Sequence, residues 1–199
     1  MHREAVTAAG VQLVRFAKHC GLIRGEWIAV DGSKFRAVSS IDTVRERIQL
    51  QRYLDSVDEN DGQQQENIDS SAVKAAIEKL NQHPEPDAGF MLMRSSTAPA
   101  FNVQTAVDSQ RAIIVVHEVV LDAADSRCLQ PMAEAAKAVL GIETFRVIAD
   151  AGYSNGEQAA NCEAAGMLPH VPAARTVNSR SGGTLFTSRD FRYQPESDT

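Results

Sequence analysis

The chain has 199 residues, 43% of them hydrophobic, with a formal net charge of −6 and a mean hydropathy of −0.25. That is enough apolar material for one large domain with its own core, and no apolar run approaches the ~18 residues that a membrane-crossing helix needs. The acidic balance argues against a phosphate-binding surface spread over the whole molecule, since Lys and Arg supply that affinity; it leaves room for a local basic face.

Residues 4–20 place Val11, Leu13, Val14, Phe16 and Ala17 at 3–4 spacing. This predicts an amphipathic helix, not a signal peptide, because there is no continuous apolar stretch and no small-residue cleavage site. A turn with two glycines (21–26) leads into "WIAVDGSKFRAV" (27–38), rich in strand formers, in which an apolar run meets Asp31 and then Gly32. Ile41, Val44 and Ile48 fall at helical spacing, with Leu50, Leu54 and Val57 on a neighbouring stripe and charged residues between. Residues 58–71 are polar and low in complexity, which predicts a mobile loop. A short helix over 71–82 stops before Pro84, and 83–100, with three prolines and no period, reads as an irregular connection.

From residue 101 the pattern tightens. Phe101, Val103, Thr105 and Val107 alternate as one face of a strand. A hairpin-length loop follows, and then "QRAIIVVHEVVLD", whose β-branched run predicts a strand buried on both faces. The helix over 126–141 presents Leu129, Met132, Ala136 and Val139 or Leu140 on one side and stops at Gly141. "FRVIAD" (145–150) is a buried strand ending on Asp150; a helix up to Gly166, a short strand and a loop-rich tail complete the order. Strands and helices in this sequence give a mixed α/β sheet. Asp31 and Asp150 both end apolar strand runs, where ligands bind in open α/β sheets; taken singly, such an acid is most often a turn residue.

The remaining polar residues have plainer readings. Cys20, Cys128 and Cys162 are odd in number, far apart and without a CxxC pair, as expected of reduced thiols in a cytoplasmic protein. Asp108 reads as a hairpin-turn residue, Asp122 and Asp125 as caps of the helix near Ser126, and Glu157 as complementing a helix dipole. His117 reads as a core histidine, and His170 has no partner at metal spacing. Lys34 and Arg36, on alternate strand positions, either touch DNA phosphates or form a solvated face. Gly32 and Gly152, beside the acids, would let DNA or a metal approach the backbone.

The blocks "VDGSKFRAV", "FNVQTAVDS", "PMAEAAKAVLG", "VIADAGYSNGE" and "LFTSRDFRYQPES" resemble, in this order, bacterial insertion-sequence DDE transposases of the IS1182 group within the IS4-like class, over residues 21–199. The resemblance implies a ribonuclease-H-like mixed sheet with flanking helices and a helical insert (about 41–100) after the first strand, making 25–199 a partial catalytic domain. Residues 1–24 would be an N-terminal helix left from an upstream helical region. It implies metal-dependent cleavage and strand transfer of the ends of a mobile element, that is, transposition. Asp31 and Asp150 would be the first two catalytic acids and ligands of Mg²⁺, or Mn²⁺ in its place. DNA is the implied partner, with a homodimer as an option and no membrane. The family's third acid, a Glu on a later helix, has no match up to Thr199, so the expectation is a partial or inactive chain. The alternatives are a non-catalytic transposase remnant, or a different metal-dependent phosphodiester hydrolase, which would need a further acid such as Asp108 near the pair.

Overall fold

The computed structural model describes residues 2–59, 70–93, 96–173 and 194. In chain order these form α1 (Arg3–His19), β1 (Trp27–Arg36), α2 (Ile41–Glu59), α3 (Ser70–Leu80), β2 (Gly89–Leu92), β3 (Thr97–Asp108), β4 (Ile113–Val120), α4 (Leu129–Leu140), β5 (Phe145–Ile148), α5 (Gly156–Ala164) and β6 (Met167–His170). Single 3-10 turns at Asp125–Arg127 and Ala151–Tyr153 precede α4 and α5.

The six strands make one mixed sheet, in the order β2-β3-β1-β5-β6, with β4 also beside β3. β1 runs antiparallel to β3 and parallel to β5, and β5 runs parallel to β6. This confirms the mixed α/β class, with helices flanking the sheet and a helical segment after the first strand. α4 packs on β1, β3 and β4, α1 lies against α4 and β4, and α5 lies between α4 and β6. Ile28, Val30, Ala106, Val115, Phe145, Val147, Ala149 and Met167 from the strands meet Leu129, Met132, Ala133, Ala136 and Leu140 of α4 in the main core.

α4 ends as its sequence predicts: Gly141 takes the left-handed conformation (φ +58°) and donates its N–H to Lys137 O at 2.9 Å. The remaining carbonyls at that end receive α1, whose Lys18 Nζ donates to Leu140 O at 2.6 Å and Arg15 Nε to Val139 O at 3.2 Å. Cations at a helix C-terminus are favourable, which explains why α1 docks there.

Three expectations need correction. The proline-bearing segment 83–100 holds β2 and the first four residues of β3; its turn is closed by Met93 N–H to Ser96 O at 2.9 Å. β4 is not buried on both faces: Ile114 and Val119 are 52% and 57% exposed, and His117 is exposed, not part of the core. A continuous β-branched run cannot distinguish a central strand from one at the rim of the sheet, which is where β4 lies. Within 58–71, residues 58–59 close α2 and 70–71 open α3; the rest of that loop, and the tail from 174 apart from Gln194, lie outside the described residues.

Candidate functional site

Alternation along β1 sends Ile28 and Val30 into the core, and Trp27, Ala29 and Asp31 to the opposite face. On β5, Phe145, Val147 and then Ala149 point inward, and Arg146, Ile148 and Asp150 outward. The two strands pair from Trp27↔Arg146 to Ala29↔Ile148. Asp31 and Asp150 each follow the last paired residue of this seam by two positions, on the outward side of the sheet, while the pairing itself stops at Ala29↔Ile148. Both residues are exposed. β1 does not end there: it continues along β3 to Arg36, and Asp31 marks where β5 ceases to flank it.

Each carboxylate makes one local hydrogen bond. Asp31 Oδ1 accepts from Gly32 N–H and Asp150 Oδ1 from Gly152 N–H, both at 2.8 Å; Asp150 thereby caps the turn Ala151–Tyr153. Asp150 thus does turn work, whereas Asp31 accepts from its neighbour within a continuous strand, and the second oxygen of each takes no hydrogen bond among the described residues. Carboxylates are hard oxygen donors of the kind that suit Mg²⁺, which keeps several waters and commonly takes only one or two of them. Among the described residues, no group of three or more His, Cys, Asp or Glu side chains is placed to hold a metal. Two carboxylates alone do not build a two-ion cage.

Behind the acids, on the core side, lies a polar network. Gln104, opposite Gly32 in the β1–β3 register, is fully buried with Asn102. Asp125 Oδ1 accepts from Asn102 Nδ2 at 2.7 Å and from Gln104 Nε2 at 2.8 Å, and Gln104 Nε2 also reaches Asn102 Oδ1 at 2.9 Å. Tyr153, 1% exposed, donates its hydroxyl to Gln104 Oε1 at 2.5 Å. This bond ties the turn after Asp150 to the strand beside Asp31. Burial, followed by the charges of Asp125 and Asp31, pushes the Tyr153 phenol well above its ordinary 10.0, so it remains a donor. A Cβ on residue 32 would sit 2.3 Å from Gln104 Nε2 and 3.0 Å from Asp125 Oδ1. Gly32 therefore makes room for the buried amides.

Sequence reasoning missed this network. Asp125 is no helix cap; its carboxylate is spent on the two amides. The available signal was a glycine inside a strand facing a second strand with polar residues on alternate positions. Asp108 is 1% exposed, accepts from Gly25 N–H at 2.9 Å and Gln110 N–H at 3.1 Å, and pairs with Ile28 away from the acids. It is a turn residue, as expected, and does not extend the pair. Glu157 lies in the first turn of α5, capped by Asn155, and His170 rests 5.1 Å from the Trp27 ring.

Lys34 and Arg36 share the side of β1 that carries Gly32, opposite that of Asp31. With Gly32, Asp125, Ser96, Ala98, Leu92 and Met93 they line an open cleft of about 550 Å³. They flank the first acid along the strand without sharing its face.

No family model, curated protein or solved structure matches the chain. No described helix is long and apolar enough to cross a membrane.

Proposed function

We propose that the chain belongs to the metal-dependent phosphodiester-transfer proteins built on a ribonuclease-H-like sheet. Within that class, the sequence blocks favour the core of an insertion-sequence DNA transposase. The observation that supports this reading is that β1 and β5 are parallel neighbours and that Asp31 and Asp150 each lie two positions beyond their paired stretch, on the outward side of both strands. Asp31 and Asp150 would hold Mg²⁺ or Mn²⁺, which when bound supplies Lewis-acid stabilisation of charge at a phosphate. Asp31 is fixed by a continuous strand. Asp150 is fixed by its bond to Gly152 N–H and by the Tyr153 anchor in the same turn. The open face gives a nucleic-acid backbone access to both carboxylates.

The absence of a third acid among the described residues favours a second reading, a DNA-associated chain that binds metal weakly and does not cleave. Titration with Mn²⁺, followed by paramagnetic resonance of the free ion, and nicking of a supercoiled plasmid carrying the element's ends decide between them. We expect Mn²⁺ binding that weakens about tenfold or more in Asp31→Ala or Asp150→Ala, with little or no nicking by the 199-residue chain. Metal-dependent nicking lost in both variants would establish an enzyme. Mn²⁺ affinity indifferent to both substitutions would end the metal-site reading.

A further inference from the structure

We infer that the Lys34–Arg36 cleft is a second phosphate-holding site, separate from the acid pair, and that a DNA strand reaches both by passing over the bare edge of β1. This deepens the reading above and rests on it for the choice of DNA.

Three observations carry the inference. First, Lys34 and Arg36 project from one row of β1, and neither has a hydrogen bond or ion pair among the described residues; the salt bridges there involve other cations. In a chain of net charge −6, two unpaired cations on adjacent positions of one row form a local basic patch. Second, they open into a cleft of about 550 Å³, within the usual size of a ligand site. Gly32, the next position in that row, contributes no side chain to fill it. Third, β5 flanks β1 only from Trp27 to Ala29. From Asp31 to Arg36, β1 has β3 on one side and no described strand on the other.

Strand geometry sets the spacing. At ~3.3 Å per residue, Lys34 lies roughly 10 Å and Arg36 roughly 16 Å beyond Asp31 along β1. The two groups are also on opposite faces, so they cannot hold the same phosphate. A polymer with successive phosphates can span that distance around a free edge; a small anion cannot. Phosphate contacts fix position and carry no sequence information, so the cleft would hold the strand while the acids face a neighbouring phosphodiester. Asp125, at the wall beside Gly32, limits the patch to a narrow track by repelling phosphates from the core side.

The test is fluorescence anisotropy of labelled single-stranded and duplex DNA with the full chain across a salt series. Lys34→Ala/Arg36→Ala is compared with Asp31→Asn/Asp150→Asn; all four side chains leave the core intact. We expect the cation variant to bind both probes about tenfold more weakly at low salt, with the slope of log affinity against log salt smaller by roughly 1 to 2. The aspartate variant should retain or improve affinity. An unchanged affinity and slope in the cation variant, or no DNA binding by the wild-type chain, would overturn the inference. So would inorganic phosphate displacing DNA at equal phosphate concentration, because that identifies a small-anion site. Mn²⁺ titration of the same proteins separates the two readings. Loss of the DNA effect with metal binding intact removes only the cleft, whereas DNA binding through Lys34 and Arg36 with no aspartate-dependent Mn²⁺ affinity removes only the metal site.

Discussion

The two faces of the sheet reverse the usual expectation. The face under α1, α4 and α5 hides polar groups: Asn102, Gln104 and Asp108 are all at most 1% exposed. The other face, apart from the end that α2 reaches at Phe101, shows apolar residues to solvent, among them Ile148 at 41%, Leu168 at 51% and Val119 at 57%. Burial of an amide is tolerable when every donor and acceptor finds a partner, and no buried side-chain polar atom lacks one among the described residues. The covered face therefore fixes geometry, and Asp31 and Asp150 stand exposed on the open one.

Truncations on the two faces should separate most. Leu129→Ala, in the fully buried side chain of α4, is expected to cost about 2–5 kcal/mol. Ile148→Ala, on the open face, should cost less than about 1 kcal/mol by urea unfolding. Equal losses would mean that the open face is covered in solution. The second contrast is with pH. Burial, then the charges of Glu134 and Glu163, push the fully buried Cys162 thiol from 9.0 to about 11. The native state then holds this proton more tightly than the unfolded chain, so the contribution is complete below pH 9 and is lost as pH rises towards 11. The loss should reach roughly 2–3 kcal/mol, and Tyr153 acts in the same direction. Unfolding midpoints from pH 7 to 11, with Cys162→Ala as reference, measure it; a flat profile would contradict the burial argument. The smallest contrast compares neighbours on β1. Gly32→Ala drives a methyl into Gln104 and should cost about 1–3 kcal/mol, whereas exposed Ser33→Ala should stay within about 0.5 kcal/mol.

Much of the fold was legible because its signals are local. The 3–4 spacing of α1 and α4, the stop at Gly141 and the alternation of β3 all come from neighbours in sequence. The face that buries was not legible from the same alternation. Phe101, Val103, Thr105 and Val107 do point one way, but onto the half-exposed side. In the opposite row, Asn102 and Gln104 are met by Asp125 and Tyr153, donated by distant segments, and no local pattern announces such partners. β2 was missed because prolines on either side hid a four-residue strand whose pairing with β3 supplies its stability. The acid pair was legible as two motifs. That the strands carrying them are parallel neighbours is a register that only the folded sheet reveals.

That register also has a kinetic consequence. Asp31 and Asp150 are more than a hundred positions apart in the chain, and the seam between their strands pairs only Trp27–Ala29 with Arg146–Ile148, whereas β1 and β3 are joined from Ile28 to Arg36. Closing so long a loop carries an entropic cost that only its contacts can repay. The β1–β5 seam should therefore zip late in folding and open early in native-state fluctuations. The amide hydrogens of Arg146, which donates to Glu26 O, and of Ile148, two positions on in the same row, are expected to exchange before those of β3, so the β1–β5 seam opens while the β1–β3 ladder is still intact.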